Sequence, residues 1–64
     1  MGGGIIINRA KVLITAVTDP SFMNSMDASD QSRCQAIQAK GAAACDEGDV
    51  RYMAHMLDYV AKHC

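Results

Sequence analysis

The stretch Cys45-Asp46-Glu47-Gly48-Asp49-Val50 decides how the fold is read. Gly48 offers a helix stop, because glycine takes up the left-handed cap conformation without a Cβ clash. Asp49 offers a helix start, because its carboxylate can accept from the free N–H groups of a first turn. A stop and a start in contact leave no room for a loop, and short connections make neighbouring helices pack antiparallel. The sequence therefore predicts an all-α fold organised on an antiparallel helical hairpin, about residues 29–47 and 50–63.

Downstream of the turn, Val50, Met53, Ala54, Leu57, Val60, Ala61 and Cys64 recur at helical spacing and form the expected core stripe. Lys62 and His63 fall in the last turn, where positive charge suits the helix dipole. A second stripe, Tyr52, Met56, Tyr59 and His63, runs beside the first, and one hairpin partner cannot cover both, which leaves the second for the first helix of the same chain, a dimer seam or another protein. Upstream, Cys34, Ile37, Gly41, Ala44 and Cys45 form the facing stripe. Gly41 costs about 1 kcal/mol relative to Ala inside a helix. It reads either as a tolerated weak residue or as a place where another backbone comes close.

Residues 5–18 pull two ways. Ile5, Ile6, Ile7, Val12, Ile14, Thr15, Val17 and Thr18 are β-branched, which favours a strand. Ile6, Ala10, Leu13 and Val17 recur at helical spacing, and Val12-Leu13-Ile14 breaks the alternation a strand needs. A helix over about 6–18 is expected, after a flexible glycine-rich lead-in at 1–4. Ile5, Val12 and Ala16 spill beyond one face, and a helix apolar on most sides is buried on most sides. That calls for a second subunit or a partner. Asp19-Pro20 ends this helix and suits a new start, with Asp19 capping and Pro20 in the first position. Phe22, Met23 and Met26 are then expected to plug the end of the hairpin.

Composition limits the function classes. With 64 residues the chain is one domain, and such a chain buries only about 60% of its unfolded surface. Half its residues are hydrophobic, yet only Phe22, Tyr52 and Tyr59 are aromatic, so oligomerisation is the simplest way to enlarge the core. The net charge is −1, and the six basic residues form no stripe, so nucleic-acid binding is not favoured. Asn8, Arg9 and Lys11 interrupt the apolar run, which argues against a signal peptide and against a membrane span. Three cysteines without CxxC spacing read as reduced thiols in a cytoplasm.

Candidate chemistry is thin. Cys34, His63 and Cys64 would supply three zinc ligands at no known spacing, and buried thiols are the plainer account of Cys34 and Cys45. Cys64 follows His63 directly, but adjacent helical residues point about 100° apart, so the pair is no nucleophile and base. Asp46, Glu47 and Asp49 read as capping charges, since they lack the spacing of a calcium loop. Arg51, His55, Asp58 and Lys62 share the most polar face of this helix, the one a DNA reader would use, but Asp58 would repel phosphate. The expectation is a non-enzymatic homodimer without cofactor. Its interface would use Tyr52, Met56, Tyr59 and His63, with Ile6, Leu13 and Val17 from the first helix. Such a chain would bind a larger protein as an inhibitor or adaptor, in the manner of a small phage- or plasmid-type product. The alternative is a small DNA-binding transcriptional regulator; a third reading is a metal or redox peptide using Cys34, His63 and Cys64.

Overall fold

The computed structural model describes the backbone of residues 2–63 and the side chains of residues 4–62. The first helix, α1 (Gly2–Val17), settles the conflict between propensity and spacing in favour of spacing. It takes in Gly2–Gly4, which the sequence reading left outside as lead-in. Tertiary packing overrides β-branched propensity here: Ala10 and Val17 are fully buried, with Ile6, Leu13 and Ile14 packed half-buried around them. Two threonine hydroxyls also find partners inside the helix. Thr15 Oγ1 donates to the Lys11 carbonyl at 3.0 Å, and Thr18 Oγ1 to the Ile14 carbonyl at 2.6 Å.

Asp19-Pro20 acts as expected. The short α2 (Pro20–Met23) has Pro20 at its start, and the Asp19 carboxylate accepts from the Ser21 N–H at 2.9 Å. Asp27 then caps α3 (Ala28–Lys40) by accepting from the Asp30 N–H at 2.9 Å. The Gln31 side-chain amide holds the bend between the two, donating to the carbonyls of Met23 at 2.7 Å and Met26 at 3.0 Å. The Met23 carbonyl, at the end of α2, also accepts from the Met26 N–H at 3.1 Å. Met26 is drawn into the core, while Phe22 and Met23 pack half-buried against it.

The decisive turn lies earlier than predicted. α3 stops at Lys40 rather than near residue 47, and Gly41 takes φ 86°, ψ 160°. This is a region open essentially to glycine alone. A Cβ built at Gly41 would meet nothing within 4 Å, so backbone conformation, not close approach of another chain segment, requires glycine there. A single 3-10 turn (Ala42–Ala44) follows, then Cys45 in extended conformation. The last helix, α4 (Glu47–His63), begins three residues before the predicted start. Gly48 is therefore no cap: it sits in the first turn of α4, and Gly41 is the only glycine at positive φ among the described residues. Asp46 takes the capping role assigned to Asp49. The Asp49 N–H donates to Asp46 Oδ1 at 2.9 Å, and the Asp46 N–H donates back to Asp49 Oδ2 at 3.2 Å. This reciprocal pair is a capping box with aspartate in both positions.

Four α-helices and no strand are present among the described residues. α1 is the element on which the others lean. It packs most extensively on α4, next on the 3-10 turn, and then on α3 and α2. The backbones of α3 and α4 come close at few points, so packing between them does not organise the fold. One core joins the elements: Ala10, Val17, Met26, Cys34, Ile37, Cys45, Val50, Met53, Met56 and Val60. Along α4 the buried arc is centred on Met53, Met56 and Val60, while Leu57 is half-buried and Ala54 and Ala61 are exposed. The arc is rotated towards Met56 from the predicted stripe, because its partner is α1 rather than α3.

Candidate interaction surface

The expected tyrosine stripe divides into parts with different surroundings. Tyr52 is half-buried and fastens α4 to α3. Its hydroxyl donates to Asp30 Oδ1 at 2.8 Å, and the Arg33 guanidinium lies 4.1 Å from the ring centre. Burial, followed by the hydrogen bond to Asp30, pushes the Tyr52 phenol well above its ordinary range. Met56 is only 4% exposed and belongs to the core. Tyr59 is 47% exposed. The side chain of His63 lies outside the described residues, as does Cys64. From the first helix, Val17 is fully buried, and Ile6 and Leu13 are half-buried against the core. Met56 and Val17 are thus closed off from solvent within the single chain.

Cys34 is fully buried, and its thiol faces the Met26 thioether with 3.8 Å between the sulfurs. Burial holds the thiol above its ordinary range, which disfavours the thiolate that nucleophilic chemistry needs. Cys45 is buried as well, and its thiol donates to the Gly41 carbonyl at 3.4 Å. No group of three His, Cys, Asp or Glu side chains is placed to hold a metal among the described residues. No described helix is long and apolar enough to cross a membrane.

A second tie between α3 and α4 lies at the turn. Lys40, at the end of α3, forms an ion pair with Asp49 of the capping box. The hydrogen bond to Lys40 holds the Asp49 carboxyl below its ordinary value of 3.8. A carboxyl whose folded pKa is depressed contributes stability above its unfolded value and loses it as pH falls through the folded one. A melting series carried from neutral into strongly acidic buffer should therefore show wild type losing stability below the carboxylate range. Asp49→Asn should start lower at neutral pH and lose less. Parallel curves for the two proteins would show that Asp49 carries none of the acid sensitivity.

The apolar surface left uncovered lies on α1. Ile5 is 63% exposed and Val12 70%; seven residues apart, they lie on one side of the helix. Beside them an open groove of about 390 Å³ is lined by Asn8, Arg9, Val12, Leu13 and Ala54, so α1 supplies one wall and α4 the other. The width of the apolar arc had pointed to Ile5 and Val12, but the groove depends on how α4 sits on α1 and has no local sequence signal. The cations of the chain are unevenly partnered. Arg51 pairs with Glu47 at 2.6 Å, Lys62 with Asp58 at 3.1 Å, Lys40 with Asp49, and Arg33 with the Tyr52 ring. Arg9 and Lys11, both on α1, make no ion pair or ring contact among the described residues. No family model, curated protein or solved structure compared with the chain gives a significant match.

Proposed function

We propose that the chain is a non-enzymatic interaction protein that binds a larger protein in the cytoplasm and modulates it, as an inhibitor or adaptor. The observation that carries this reading is the uncovered side of α1. Ile5 and Val12 stand in water on one side of α1, Val12 in the wall of a groove, while most other large apolar side chains are buried or packed against the core. Exposed apolar surface beside a groove is the usual mark of a protein-binding site. The reading as a DNA-binding regulator gains little, because Arg51 and Lys62 on the polar face of α4 are already engaged by carboxylates one turn away. The chain is further proposed to act as a homodimer joined at the Tyr59 edge of α4. Tyr59 and Ala54 are five residues apart and lie on opposite flanks of that helix, so the groove would stay open in the dimer.

The test is capture from the native host with wild type and Val12→Glu as baits, followed by mass spectrometry. Wild type should retain one protein in fixed proportion. Val12→Glu should weaken that association by about 2 kcal/mol or more while leaving the melting temperature in place. Light scattering should give about twice the chain mass, falling to the single-chain mass for Tyr59→Ala. Equal retention by both baits, or retention of nothing, would overturn the α1 assignment; a monomeric wild type would overturn the dimer.

A further inference from the structure

Resting on that reading, we infer that the segment received by the α1 groove is an acidic amphipathic stretch of the partner protein. A large apolar side chain of that segment would sit over Val12, Leu13 and Ala54, and a carboxylate beside it would face Arg9. The charge layout carries this. Residues 2–18 hold Arg9 and Lys11 and no carboxylate, so that segment is +2, while the whole chain is −1. Elsewhere Arg51, Lys62 and Lys40 each have a carboxylate and Arg33 an aromatic ring, whereas Arg9, in the wall of the groove, has neither among the described residues; Lys11, two residues on, adds to the positive charge of the helix from its other side. Complementary charge at the rim of an apolar contact sets partner choice and orientation.

Other occupants fit less well. A second copy docking α1 on α1 across a two-fold axis would use the same patch on both chains. It would bring the two Arg9 side chains together with no carboxylate from α1 at the seam. An anionic lipid surface would satisfy the charge, but a membrane-lying helix presents a continuous apolar face. Here Leu13, Ile6 and Val17 are turned into the core, which leaves Ile5 and Val12 and a concave wall closed by Ala54.

The experiment is a display selection of helical 15-residue peptides on the intact protein, run in parallel on wild type, Val12→Glu and the double variant Arg9→Glu/Lys11→Glu. Circular dichroism checks that all three fold. Wild type should enrich peptides with carboxylates three or four positions from a large apolar residue. Their affinity should fall at least about tenfold on the double variant and decline with added salt. The double variant should instead enrich basic peptides. Peptides that need Val12 but carry no acidic bias would overturn the charge assignment and leave the protein-binding reading standing. If no enriched peptide depends on Val12, both fall. If the protein passes over acidic peptides yet binds vesicles of anionic phospholipid in an Arg9- and Lys11-dependent way, the partner is a membrane and the inference is overturned.

Discussion

Met53→Ala is expected to cost about 2–5 kcal/mol, which is most of the stability a chain of this size has to lose. Met53 is fully buried, at the centre of the α4 face that meets α1. Removing its thioether leaves a cavity in a core of ten buried residues among those described, where little neighbouring mass is free to collapse inward. Urea titration followed by circular dichroism should give a much lower midpoint or an unfolded chain. Leu57→Ala provides the comparison, because Leu57 is only half-buried and should cost clearly less. If Leu57→Ala proved the more damaging, the buried face of α4 would be centred where the sequence stripe placed it and α4 would pack differently on α1.

The two α4 variants bear on what periodicity can reveal. Spacing identified α1 and α4 as helices against the β-branched content of α1, because a buried arc repeats every turn whatever its partner. It could not fix the rotation of α4. Leu57 and Met56 point about 100° apart on the helix, and the identity of the partner decides which one turns inward. The hairpin reading chose α3, whereas α1 is the element that α4 packs on. The interaction surface divided along the same line. Ile5 and Val12 were visible as overflow from the α1 arc, but Ala54 joined them only through the seating of α4. Met56 belonged to a stripe open either to the first helix or to an interface, and for Met56 it is the core built on α1 that covers it. Tyr52 looked like an anchor for another protein, and its polar tip instead finds Asp30 within the chain.

The turn was misplaced for a different reason, and Gly41→Ala tests it directly. Gly48 lies between acidic residues in a typical stop–start pattern, whereas Gly41 is followed by three alanines, the strongest helix formers. Local propensity therefore favours carrying α3 through Gly41. What ends it is packing: stepping out of the helix there seats the 3-10 turn against α1 and brings Cys45 and Val50 into the core. Gly41→Ala should cost about 1–3 kcal/mol, since φ 86°, ψ 160° is strained for any residue with a Cβ. The open space around the position offers no packing gain in return. Gly48→Ala should stay within about 1 kcal/mol of wild type. Its gain in helix propensity is opposed by crowding at 3.2 Å against Asp46 Oδ1, the atom that caps α4. Thermal melts of the two single variants separate the alternatives. A large loss at Gly48 with none at Gly41 would return the break to residue 48, whereas the reverse order fixes it at the end of α3.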